Sequence, residues 1–130
     1  MKTQKNRLKR LGSLGEKDAG KYLQKSKGFK LIGRNFQTKW GELDLIMEEG
    51  KTVVFVEVKA RVSPSLGSPL EYIDPNKVRH LKKAIDFYLN SNGWGDRQCR
   101  LDAVGIEYEI VGEDEYILKN IEYAQDLTGW

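Results

Sequence analysis

Two stretches of strand-like alternation, residues 41–46 (GELDLI) and 53–61 (VVFVEVKAR), flank a Glu49-Gly50 pair and constrain the fold of this chain more than any other feature. Successive side chains of a strand point to opposite faces, so Leu43, Leu45 and Met47 share one face, matched across a hairpin by Val54, Val56, Val58 and Ala60. That face is wholly apolar and predicts core. The other carries Glu42, Asp44 and Ile46 with Val53, Phe55, Glu57, Lys59 and Arg61. Gly50 can supply the positive φ of a tight hairpin turn. With two turn residues at Glu49-Gly50, or four over 48–51, Glu42 falls opposite Glu57, and Asp44 falls opposite Phe55 and diagonal to Glu57. An odd-numbered turn would put Glu57 on the opposite face from Asp44.

Converging carboxylates need a compensating partner, because two of them about 4 Å apart repel by roughly 4 kcal/mol at an effective dielectric near 20. Solvent, the neighbouring cations Lys59 and Arg61, or a hard divalent ion that takes oxygen ligands would supply it. A solvated polar face is ordinary in an antiparallel sheet. Here, however, Ile46, Val53 and Phe55 share the acidic face and imply that its turn-proximal half is covered. The chain has one His and one Cys, too few for a structural zinc site or a disulfide, so a metal here would be held by carboxylates. One Mg²⁺ or Mn²⁺ on Asp44, Glu57 and the carbonyl of Val58 would polarise a phosphoryl oxygen and acidify a bound water. Lys59 would orient that water or stabilise transition-state charge. The chemistry such a constellation would support is phosphodiester hydrolysis.

Around the hairpin, Ser13 and Glu16 have the form of a capping box opening a helix over 13–27, with Gly28 past its end. Residues 29–37, 42–48 and 52–60 read as strands. A Ser/Pro/Gly-rich loop over 62–73 leads to Asp74-Pro75, a helix start. Val78, Leu81, Ile85 and Tyr88 follow at helical spacing until Asn92-Gly93. Residues 100–108 and 115–123 read as two more strands joined around Gly112. The fold class is α/β, of α+β type with a mixed sheet flanked by helices, in the order α-β-β-β-α-β-β. At 130 residues one domain suffices. It spans 13–130, behind a flexible basic arm over 1–12.

That arm accounts for the charge. The chain's net charge is +3, while Lys2, Lys5, Arg7, Lys9 and Arg10 sit together with no acid among them. Such an arm is either a solvated tail or a phosphate-contacting element. No window approaches the apolar length of a membrane span, and no apolar segment follows the basic start as in a signal peptide, so a cytoplasmic protein is expected.

Asp44, then Glu57-Val58-Lys59, resembles the Asp…Glu-x-Lys signature of restriction-endonuclease-like PD-(D/E)XK nucleases, and the element order is similar to their core. The set Gly15-Glu16, Arg34-Asn35, residues 41–46, residues 55–61, Gly67, Pro69, Lys77 and Leu101-Asp102 resembles, more narrowly, the YraN family of small bacterial proteins, whose relatives include archaeal-type Holliday junction resolvases. The resemblance implies that Asp44 and Glu57 are metal ligands and Lys59 the catalytic lysine. Glu16 is then a further ligand or simply the capping-box residue. Glu42 is a supporting partner of the ligands or a cross-strand neighbour. Asp102 belongs to the pattern or is a strand-edge charge.

Arg34, Arg61, Lys77, Arg79 and Lys83 are candidate phosphate contacts, against the alternative of solvated helix and strand surfaces. Trp40 either packs against the sheet or stacks on an unpaired base. His80 reads as a surface or half-buried helix residue, and Cys99 as a small buried one. The expected activity is Mg²⁺- or Mn²⁺-dependent hydrolysis of DNA, branched or damaged, by a homodimer. The alternatives are a non-catalytic nucleic-acid-binding module, an accessory protein of a DNA-processing complex, and the same chemistry on RNA.

Overall fold

Val53, Val54, Phe55 and Val56 are buried in unbroken succession, so both faces of the strand that carries them must be covered. The computed structural model describes residues 3–63, 67–113 and 115–128. Its elements are α1 (Gln4–Lys27), β1 (Lys30–Thr38), β2 (Gly41–Glu49), β3 (Thr52–Val62), a 3-10 helix (Pro69–Tyr72), α2 (Pro75–Ser91), β4 (Cys99–Val111) and β5 (Glu115–Ala124). This is the expected order. The strands form one mixed sheet, β1-β2-β3-β4-β5, antiparallel except for the parallel pair β3 and β4. Parallel neighbours need a crossover, and α2 lies on it.

Each helix covers one face. Leu11, Ala19 and Leu23 of α1 join Leu45, Met47, Val54, Val56, Val104, Ile106 and Tyr108 in one apolar cluster. Leu81, Ala84, Ile85, Tyr88 and Leu89 of α2 join Ile46, Val53, Phe55 and Leu101 in the other. The turn-proximal half of the acidic face is thus covered, by α2. Asp74 caps that helix as expected, its Oδ1 accepting the Lys77 N–H at 2.8 Å.

Three expectations need correction. The first concerns α1, whose N-cap is Thr3, with the Asn6 N–H donating to Thr3 Oγ1 at 3.1 Å. Ser13 is an exposed mid-helix residue, so Ser13 and Glu16 form no capping box. Gln, Lys, Arg and Leu are good helix formers, and the basic segment read as a flexible arm is helical from Gln4. The boundary placed at residue 13 falls inside a helix; Met1 and Lys2 lie outside the described residues.

The second concerns register. Glu49 pairs with Thr52 and Leu45 with Val56, so the turn residues are Gly50 and Lys51, with φ 59° at Gly50. A glycine at the first turn position moves the loop one residue along and shifts the pairing by two. The even count keeps Asp44 and Glu57 on one face, but Asp44, not Glu42, is level with Glu57. The third concerns Leu43, which belongs to the α2-side cluster rather than to the face of Leu45 and Met47. Alternation breaks beside Asn35, whose φ of 53° lies in the left-handed region. Within the 62–73 segment the described residues include the 3-10 helix.

Candidate active site

The β2–β3 ladder ends at Leu45 and Val56, and one residue further on a side chain replaces the backbone acceptor. The Val58 N–H donates to Asp44 Oδ2 at 2.9 Å. Asp44 is thereby pinned where the strands part. Beside it, Glu57 has a 4% exposed side chain and an ion pair with Lys77 Nζ at 2.8 Å. The two carboxyl groups share a hydrogen bond. Burial, that hydrogen bond and the charge of Glu57 push the Asp44 carboxyl up to about 9, so it is the protonated donor. Burial works against the Glu57 anion too, yet the hydrogen bonds from Asp44 and Lys77 and the charges of Lys77 and Lys59 hold it below the usual carboxylate range. The dyad carries one proton and one charge, which removes most of the repulsion expected of two anions.

Two more acids lie close to Asp44. Carboxylate oxygens of Glu16, Glu42 and Asp44 all lie within 4.8 Å of one another. Asn35 ties the first two together, its Nδ2 donating to Glu16 Oε1 at 2.7 Å and to Glu42 Oε1 at 2.6 Å. Gln37 Nε2 donates to Glu42 Oε2 at 2.5 Å. Burial and the charges of Glu42 and Glu57 raise the Glu16 carboxyl against the opposing Asn35 hydrogen bond. Glu16 reaches the cluster because α1 approaches β3 closely: a Cβ on Gly15 would meet Ala60 Cβ at 2.9 Å. Three carboxylates at this spacing are hard oxygen donors suited to Mg²⁺ or Mn²⁺, with no nitrogen or sulfur ligand required.

Lys59 and Lys77 complete the charge pattern. Burial and its neighbour Lys77 lower the Lys59 ammonium, against the pull of Glu57 and Asp44. Lys77 is raised, because the hydrogen bond and charge of Glu57 outweigh burial. Asp44, Glu42 and Glu57 open on a cleft of about 380 Å³ whose further lining includes Trp40, Asn76, Lys77 and His80.

The expected residues therefore divide. Glu16, Glu42, Asp44, Glu57, Lys59 and Lys77 are brought together, with Lys77 engaged by Glu57 at the acids. Arg34 is exposed on β1, close enough for its charge to act on Glu16. Arg61 lies half-buried on β3 beyond Lys59. Arg79 lines a separate groove with Leu70, Ile73, Val78 and Leu127, and Lys83 is exposed on α2; neither lines the acidic cleft. Asp102 is no strand-edge charge. It is fully buried, bonded by Arg100 Nε at 3.0 Å, Tyr123 Oη at 2.5 Å and the Asp126 N–H at 2.8 Å. Asn35 stands in the YraN-like set without a role, although an Asn inside a strand, a residue type that tolerates the left-handed region, is a signal for one; Gln37, which also holds Glu42, carries no such signal.

Residues 15–106, which hold every one of the converging side chains, match the family described as "Uncharacterised protein family UPF0102". The chain belongs to that family. UPF0102 is the YraN family that the sequence resembles. Among its members, the UPF0102 protein of Syntrophomonas wolfei is 46% identical over 99 residues, covering 76% of this chain and 85% of the relative. That of Colwellia psychrerythraea is 41% identical over 111 residues, 84% of this chain and 85% of the relative. The UPF0102 protein of Caldicellulosiruptor saccharolyticus is 38% identical over 112 residues, 85% of this chain and 94% of the relative. The basic first turns of α1 and all of β5 lie outside the matched UPF0102 segment.

Proposed function

We propose that this UPF0102 protein is a divalent-metal-dependent nuclease that hydrolyses phosphodiester bonds of DNA. The observation that carries the reading is the convergence of Glu16, Glu42 and Asp44 within 4.8 Å of one another, beside Glu57 and two lysines. The donor set fits Mg²⁺ or Mn²⁺: Glu16, Glu42 and Asp44 would hold the ion, and Glu57 pairs with Asp44 next to them. When bound, the ion supplies Lewis-acid polarisation of the phosphoryl group and an acidified water.

The protein's own groups divide the remaining work. Glu57 holds Lys77 at the mouth of the cleft, where its ammonium meets the phosphate's negative charge. Lys59, lowered by burial and by Lys77, accepts or donates a proton at Nζ more readily than an exposed lysine. Asn35 and Gln37 fix Glu42, and Asn35 also fixes Glu16, so the ligands are preorganised.

Wild type, Asp44→Asn and Lys59→Ala are incubated with branched, single-stranded and linear duplex DNA in Mg²⁺ or Mn²⁺. Cleavage by wild type and a loss of at least about 100-fold in each variant are expected. Cleavage that survives both substitutions overturns the assignment. Salt-sensitive binding without cleavage by wild type would instead support the non-catalytic nucleic-acid-binding reading.

A further inference from the structure

The acidic cleft has one aromatic wall that hydrolysis does not require. Trp40 lines it together with Asp44, Glu57 and Lys77. The residue is held in the β1–β2 turn, where the Trp40 N–H donates to Thr38 Oγ1 at 3.1 Å and the Thr38 hydroxyl donates to the Gly41 carbonyl at 2.7 Å. Its indole is half-buried, with Phe87 beside it at 6.0 Å between ring centroids and an interplanar angle of 58°. Phe87 itself is 47% exposed, large for a phenylalanine on a helix whose other apolar side chains are mostly buried. Over the indole lies the ammonium of Lys39, 4.8 Å from the ring centroid.

We propose that Trp40, supported by Phe87, is a stacking platform for an unpaired nucleobase next to the phosphate addressed by the acids, so that the preferred substrate carries unpaired nucleotides. The proposal rests on the nuclease reading and adds its substrate class. A base inside a duplex already has both faces stacked, so an indole recessed in a cleft can stack only on a base that is single-stranded or turned out. The group lying over the ring is an exposed ammonium on a flexible stem, which a base can displace. Once displaced, the Lys39 ammonium is free to pair with the backbone of the same strand. The turn also ties the platform to the chemistry, because Trp40 lies immediately ahead of β2, two residues before Glu42 and four before Asp44.

The test uses the full chain carrying Asp44→Asn, in EDTA, so that binding is read without cleavage. Labelled DNA is presented as a single strand, as a blunt duplex and as a duplex with a short unpaired flap, and 2-aminopurine is placed in turn at each unpaired position. Expected results are quenching at one position and roughly tenfold weaker binding of single strand and flap on Trp40→Ala, with duplex affinity unchanged. Trp40→Phe restores most of that binding, and Trp40→Ala abolishes the quenching. Equal weakening on all three DNAs, or quenching that survives Trp40→Ala, overturns the proposal. Binding to none of the three overturns the nuclease reading along with it. Cleavage in Mg²⁺ by the otherwise wild-type chain that is the same with and without Trp40→Ala, and the same on paired and unpaired DNA, overturns the stacking platform alone.

Discussion

A carboxyl group held neutral near pH 7 makes Asp44 the residue whose behaviour is simplest to test. Its proton must leave before the oxygen can serve a cation, so metal binding should release a proton. Calorimetric titration with Mn²⁺ at pH 7 in two buffers of different ionisation heat should show about one proton released per ion. The metal-free protein should also respond to pH in an unusual direction. The Asp44 carboxyl is raised from 3.8 to about 9, so its contribution to stability is complete below about pH 4 and is lost as pH rises towards 9. Asp44→Asn keeps an acceptor for the Val58 N–H and has no proton to lose. Between pH 5 and 8 it should gain about 2–4 kcal/mol on wild type in urea denaturation without metal. Lys77 acts in the same place by charge. Lys77→Met removes a cation 2.8 Å from Glu57 and should tighten Mn²⁺ binding roughly tenfold, read as free Mn²⁺ by electron paramagnetic resonance.

At the scale of elements, the candidate site depends on how α1 seats against β3. Glu16 is delivered by the turn of helix in which Gly15 would bring a Cβ to 2.9 Å from that of Ala60. A valine there must push the helix away. Gly15→Val should cost about 1–3 kcal/mol by overpacking and, by moving Glu16, should weaken Mn²⁺ affinity as well. A merely destabilised protein would keep that affinity at temperatures where it stays folded, which separates the two effects. β2 and β3 are arranged differently. Their ladder stops one residue short of Asp44, and the carboxylate takes over the Val58 N–H. The site is thus built where strand pairing gives way to side-chain pairing.

Over the whole molecule, the sheet is fastened to the end of the chain by a buried charge. Asp102 accepts from Arg100, Tyr123 and the Asp126 N–H, and the Leu127 N–H donates to the Leu101 carbonyl at 2.7 Å. Asp102→Ala would leave the guanidinium of Arg100, 13% exposed, short of a buried partner. It should therefore cost about 3–5 kcal/mol in chemical denaturation. Among the described residues no helix is long and apolar enough to cross a membrane. The first turns of α1 carry Lys5, Arg7 and Lys9 on exposed helix. If they meet phosphates, replacing all three with Gln should flatten the salt dependence of DNA binding by up to about 3 in log–log slope.

Alternation and turn chemistry are local properties, and for that reason the hairpin, the element order and the pairing of Asp44 with Glu57 on one face were all legible in the residues. The parity of the turn was an expectation that the pairing of Glu49 with Thr52 bears out, since only an even count leaves both acids on one face. The register within that parity was not legible, because it depended on which turn position Gly50 would occupy. The helix start was masked in another way: Ser13 and Glu16 imitate a cap inside a run of good helix formers.

By itself, the sequence determined that any cation site here must be made of carboxylates and that the strand carrying Glu57 would be buried on its turn-proximal half. Only the tertiary structure decided which carboxylates meet. Glu16, Asn35, Glu42 and Lys77 come from a helix, two strands and a second helix, and their convergence follows from helix docking at Gly15 and a left-handed residue in β1. Both are long-range packing outcomes that no local pattern encodes.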